Sequence, residues 1–208
     1  MSGLKLAGTE VIPVTAKVAM TIEGDDLVVS DFLTPPSRRS RHTANRGVEA
    51  EAAAEAEKHI CRDDDDRECI RSLHLRHCLT ALSDYFTFKG EKRLSKHKVR
   101  ERILYSVFIT PQLIPLQYDE RDIVMITIHN PSGASLMFRP NYKKWSLSFE
   151  VLLREEQIDA ATLRDMFFHI SAGLGVGARR GTHQFGVNLG HFRITKWKVL
   201  PVEQVTSI

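Results

Sequence analysis

The chain has 208 residues and a formal net charge of +3, with 42% hydrophobic and 26% charged residues, proportions of a soluble globular protein carrying one large domain or a domain with a sizeable insertion. No apolar run approaches the roughly 20 residues that span a bilayer, and Met1-Ser-Gly-Leu-Lys-Leu lacks the charged-then-apolar layout of a secretory signal. Three cysteines, an odd number, argue against a disulfide framework and for a reducing, cytoplasmic setting.

Residues 11–22 alternate and are rich in β-branched side chains, which predicts a first strand. Gly24-Asp25-Asp26 reads as a turn and residues 27–29 as a short returning strand. Pro35 and Pro36 break the pattern, and Arg38, Arg39, Arg41 and Arg46 follow among small polar residues as a basic loop. Residues 48–58 are alanine- and glutamate-rich, which favours a helix with almost no apolar stripe, so it is expected on the outside. Residues 63–66 form an acidic turn, with Asp66 placed to start the next helix. That helix carries Ile70, Leu73, Cys78, Leu79, Leu82 and Phe86 close to helical spacing.

A second basic segment holds Lys89, Lys92, Arg93, Lys96, Lys98, Arg100 and Arg102, opposed only by Glu91 and Glu101. A run of cations is normally a solvated helix face. Here Tyr85, Phe86 and Phe88 stand just before it, and aromatics beside cations suit single-stranded nucleic acid, whose bases stack for roughly 1–3 kcal/mol each. Residues 103–109 read either as the end of a helix or as a short strand, which periodicity alone does not separate.

In the C-terminal half, residues 123–129 read as a strand, Asn130-Pro-Ser-Gly133 as a turn and residues 134–139 as the hairpin partner. Residues 145–153 form a third strand with Trp145, Leu147, Phe149 and Val151 on one face. Asp159 is placed to cap a helix whose inner face is Leu163, Met166, Phe167 and Ile170. Residues 190–199 give a last strand. The order predicts an α+β fold, a ferredoxin-like or RNA-recognition-like core (β-α-β-β-α-β) with a long helical and loop insertion after the first strand. Residues 1–34 and 103–208 would form the core, and residues 35–102 the basic insertion.

Between the last helix and the last strand lies Gly173-Leu-Gly-Val-Gly-Ala-Arg-Arg-Gly-Thr-His-Gln-Phe-Gly186. It is not a Walker loop, because no Gly-Lys-Ser/Thr ends it, and it follows a helix where a dinucleotide fingerprint follows a strand. Glycine lets the backbone approach a ligand closely, and arginine forks suit phosphate. A flexible connection would use the glycines alone; Arg179 and Arg180 point instead to phosphate contact.

This glycine and arginine pattern after a helix, together with Phe138-Arg139-Pro140, Trp145 and the strand–helix order, resembles the RAMP superfamily, the RNA-binding proteins of CRISPR effector complexes. The motif likeness covers residues 120–199, and the first strand matches by position. The resemblance implies guide-RNA backbone contacts at Gly173, Gly175, Gly177, Arg179, Arg180, Gly181 and Gly186, and an insertion acting as a thumb between subunits. It also places His183 where some RNA-processing relatives keep catalytic groups, and Asp31 where some backbone subunits cut bound target RNA with a metal. His183 has no partner in the sequence, and an aspartate ending a strand is usually a turn former.

His59, Cys61, Cys69, His74, His77 and Cys78 cluster in sequence, making Cys61, Cys69, His74 and Cys78 the candidates for a zinc ion. No Cys-x-x-Cys pair is present, and buried cysteine commonly serves as a small hydrophobe. No metal or cofactor is therefore expected. The reading favours a non-enzymatic subunit in antiviral defence that holds single-stranded guide RNA, beside other subunits and with self-association open. Lys92, Arg93, Lys96 and Lys98 would extend the phosphate track, with Arg38, Arg39, Arg41 and His183 as further contacts. The alternatives are an RNA-processing endoribonuclease of the same superfamily and a viral protein that mimics such a subunit to block the complex.

Overall fold

Strand β1 (Ala16–Val28) buries Ala16, Val18, Met20 and Ile22 and turns Lys17, Ala19, Thr21 and Glu23 to the opposite, partly open face, as the two-residue period of a strand requires. The computed structural model that shows this describes residues 14–29, 48–84, 86–130, 133–177 and 190–200. On one side β1 pairs antiparallel with β7 (Gly133–Leu153), from Ala16↔Leu153 to Val28↔Asn141. On its other side it pairs antiparallel with β8 (Arg193–Leu200). The far edge of β7 receives β4 (Val107–Thr110), β5 (Leu113–Gln117) and β6 (Glu120–Asn130) in turn.

The path β4-β7-β1-β8, with helices in the β1-to-β4 and β7-to-β8 connections, is the α+β plan expected from the sequence. A small hairpin of β2 (Cys61–Arg62) and β3 (Glu68–Arg71) extends the sheet through β5. Helices α2 (Ser72–Ala81), α3 (Lys96–Ser106) and α4 (Ala160–His169) pack on the β1 face that carries Val18 and Met20. Leu75, Cys78 and Leu79 of α2, Val99 and Ile103 of α3, and Leu163, Met166 and Phe167 of α4 meet Met20, Trp145, Leu147 and Phe149 in one continuous cluster. Each such side chain contributes roughly 1.5–3 kcal/mol through burial. Trp145, Leu147, Phe149 and Val151 share the buried face, and Asp159 caps α4, its Oδ1 accepting from Thr162 N at 2.7 Å.

Several local expectations are corrected. Gly24-Asp25-Asp26 is not a turn, and residues 27–29 do not return: β1 runs straight through to Val28. Glycine is there because a Cβ would stand 2.3 Å from His191 O and 2.7 Å from Trp145 Nε1. Helix α1 (Val48–Glu57) is not wholly external, since its alanines Ala52 and Ala56 are buried, and it packs mainly against β7. Asp66 starts no helix; it sits at φ 60 in the β2–β3 turn, and α2 begins at Ser72. Residues 103–109 are both things at once, the last turn of α3 and then β4. The hairpin partner and the third strand are one strand, β7, which continues through Lys144 at φ 46.

Candidate nucleic-acid interface

Helix α4 ends in a π turn (Ile170–Leu174), and Gly175 leaves it at φ 67, its N–H donating to Ile170 O at 2.7 Å. Gly173 lies within that turn with open space where a side chain would project. Gly177, at φ 101, lies against the end of β1, where a Cβ would stand 2.4 Å from Val28 O. Val176 N donates to Gly190 O, and Gly190 N donates to Asp26 O, both at 2.7 Å. Two main-chain bonds and two glycines thus close a neck that holds Val176 and Gly177 beside Gly190 at the end of β1.

Arg179, Arg180, Gly181, His183 and Gly186 fall in that interval, outside the described residues, as do Asp31, Arg38, Arg39 and Arg41. What the described residues establish is where the two arginine-bearing segments depart. The first follows Val29; the second follows Gly177, which packs on the Val28 carbonyl. Both therefore issue from neighbouring points at one end of β1.

That end is fixed by a polar network. Asp26 Oδ1 accepts from Asn141 Nδ2 at 3.1 Å and from Lys143 Nζ, whose ammonium also lies 3.7 Å from Asp122. Partial burial of Asp26 works to raise its pKa, but the hydrogen bonds from Lys143 and Asn141 and the Lys143 charge together outweigh it, and the net direction is down. A lowered folded-state pKa means stability present above the unfolded value, near 4, and lost as pH falls through the folded one. The stability advantage of the native chain over Asp26→Asn should be full at pH 7 and shrink at pH 3, measured by urea unfolding at both; an equal gap at both pH values would remove the carboxylate from this account. Beside the neck, a cleft of about 600 Å³ lies between Gly24, Trp145 and His191, with Lys144 and Arg193 on its rim.

The second basic segment is surface, as expected: Lys92, Arg93, Lys96 and Lys98 are all exposed in the approach to α3 and its first turn. Two of them are partly engaged at Asp84, Lys96 through its carboxylate at 2.6 Å and Arg93 through its carbonyl at 3.2 Å. The aromatics beside them do not serve as expected. Phe86 and Phe88 are buried, edge-to-face at 5.3 Å, and Arg102 lies 4.3 Å over the Phe88 ring. They are core; Tyr85 is outside the described residues. Among the described residues, an exposed ring on this side is Tyr105, seven residues along α3 from Lys98, which sequence reasoning passed over.

Cys61 and Cys69 face each other across the β2–β3 ladder with sulfurs 3.1 Å apart, both buried. Burial and the adjacent Cys61 sulfur push the Cys69 thiol up to about 12. His74 and Cys78 lie together on the buried face of α2. Among the described residues no three His, Cys, Asp or Glu side chains converge as metal ligands, and no helix is long and apolar enough to cross a membrane.

No protein-family profile matches the chain, and no curated protein matches it. Its fold does have a counterpart. A chain in the cryo-EM structure of the Type III-B Cmr-beta bound to cognate target RNA is 13% identical, with a TM-score of 0.52 over 89% of this chain and 61% of that one. The chain thus spans about three-fifths of that relative's length, and at this identity the likeness is one of fold. It is a fold of the kind the RAMP resemblance implied.

Proposed function

We propose that the chain is an RNA-binding subunit of a CRISPR-type ribonucleoprotein, working in the cytoplasm beside other subunits and holding single-stranded guide RNA by its sugar-phosphate backbone. The observation that carries this is the glycine neck. It closes the base of a segment holding Arg179 and Arg180 at the same end of β1 from which the segment with Arg38, Arg39 and Arg41 departs. Two basic segments rooted side by side can meet one polyanion, and glycine amides with arginine forks match phosphate oxygens without reading sequence. Exposed Lys92, Lys96 and Lys98, with Arg93, would extend that track along α3. The likeness of fold to a chain of the RNA-bound Type III-B Cmr-beta supports the same reading.

The test is RNA affinity as a function of salt. Binding of a 20-nucleotide single strand should fall linearly in log-log form, with a slope of about −0.7 for each phosphate contact. Replacing Arg179 and Arg180 together by alanine should flatten that slope by about 1.4, two contacts' worth. An unchanged slope removes the glycine segment as the clamp, and an absence of RNA binding by the native chain ends the proposal.

A further inference from the structure

From the cleft between α3 and the turn after β7 we infer a second binding site, one that takes a single unstacked nucleobase of the bound RNA, preferentially one bearing an exocyclic amino group. This rests on the RNA-binding reading above but uses none of its residues except Lys98. The cleft measures about 460 Å³, within the range of small-ligand sites. One wall is a stripe of α3, where Lys98, Glu101, Arg102 and Tyr105 recur at helical spacing.

The floor is unusual in its polar groups. Ser106 is 0% exposed, and its Oγ has no hydrogen-bond partner; Arg154 Nε is also buried without one. Arg154 is anchored elsewhere: its main-chain N donates to Ser106 O and its Nη1 to Tyr105 O, both at 3.0 Å, and its guanidinium sits 5.1 Å over the Phe108 ring. Arg154 is therefore held in place with its buried Nε donor unused. Unpaired buried polar groups are costly, and a ligand that satisfies them recovers that cost.

The walls select the ligand. Tyr105 is 62% exposed at the mouth, a flat ring presented to solvent, and every base has a π-face to stack on it. Lys98 is exposed, with no ion pair among the described residues, and suits the phosphate attached to that base. Glu101 and Glu156 line the same cleft. Two carboxylates would repel a bare phosphate deep inside, but they accept from amino groups, while Ser106 and Arg154 below supply donors. A base edge that carries both an amine and a ring acceptor matches this pattern, as in cytosine or adenine. Uracil lacks the amine.

The experiment compares oligo(C) and oligo(U) of 20 nucleotides on the full chain, native and with Tyr105→Ala, Tyr105→Phe and Arg179→Ala/Arg180→Ala. Tyr105 is exposed, so its replacement leaves the fold intact, which circular dichroism checks. The native chain should bind oligo(C) several-fold more tightly than oligo(U). Tyr105→Ala should weaken oligo(C) binding about tenfold or more and erase the preference, Tyr105→Phe should retain both, and the arginine variant should lose affinity for both RNAs alike. If Tyr105→Ala binds like the native chain while the arginine variant is weakened, the cleft inference falls and the clamp stands. Equal native affinity for the two RNAs overturns the amine preference and with it the base-edge assignment. If the native chain binds neither RNA, both proposals fall together.

Discussion

Gly190→Ala should lower the thermal midpoint by roughly 6–12 °C, the loss expected for about 3 kcal/mol in a chain of this size. Two penalties combine at this residue. Gly190 has φ +75, a region that costs an L side chain about 1 kcal/mol or more. A Cβ there would also stand 1.8 Å from Val176 O, a main-chain atom with no rotamer to swing away. The backbone must shift, and the shift breaks the Val176 N to Gly190 O bond and strains the Gly190 N to Asp26 O bond. Gly173→Ala is the matched control. Nothing lies within 4 Å of its would-be Cβ, and it sits in a helical turn, so alanine there should be neutral or gain up to about 1 kcal/mol of helix propensity. Differential scanning calorimetry on both variants reads the contrast, and equal midpoints would show that the neck does not close as described. The same substitution at Gly190 bears on function, because it splays the base of the segment carrying Arg179 and Arg180.

What could be read in the sequence divides along physical lines. The alternation of Trp145, Leu147, Phe149 and Val151 was legible because a strand's period of two is imposed by its own backbone, and the Asp159 cap because its hydrogen bond is made three residues away. The overall α+β plan followed from such local signals. Gly24 misled because a glycine required by a distant contact looks the same as one required by a turn; its reason, Trp145 and the His191 carbonyl, lies more than a hundred residues off. Phe86 and Phe88 misled in the opposite way. Their place beside a basic run says nothing of which side they face, and tertiary packing took them into the core.

The nucleobase cleft was invisible for a related reason. Tyr105 and Arg154 are 49 positions apart, and only the β4–β7 ladder, which sets Val107 against Leu153, brings α3 beside the β7–α4 turn. Ser106 reads as an unremarkable helix-terminal serine until its hydroxyl is found buried without an acceptor. A signal did exist, since Lys98, Arg102 and Tyr105 fall on one helical stripe, but the same stripe describes any solvated helix face.

Glu55→Ala should release α1 from β7, with amide protection across the helix falling by roughly two orders of magnitude, the expectation for breaking a buried ion pair worth about 3 kcal/mol. Arg139 is almost wholly buried on β7, and its Nη1 lies 3.2 Å from Glu55 Oε1, which also accepts from Phe138 N at 3.4 Å. Removing that carboxylate leaves the buried guanidinium without its charge partner on α1. Among the described side chains of α1 the buried ones are the small Ala52 and Ala56, which stand apart from the main hydrophobic cluster. The loss should therefore be local: hydrogen exchange monitored by mass spectrometry should accelerate over residues 52–57 and 137–140, while the thermal midpoint of the whole chain moves little. Glu55→Gln, which keeps an acceptor and loses the charge, should fall between. Unchanged protection in Glu55→Ala would mean that backbone packing, not the ion pair, docks the helix. The outcome reaches beyond α1, because α1 anchors the far end of the segment bearing Arg38, Arg39 and Arg41. If those arginines share one RNA with the glycine neck, undocking α1 must weaken RNA binding while the neck itself stays closed.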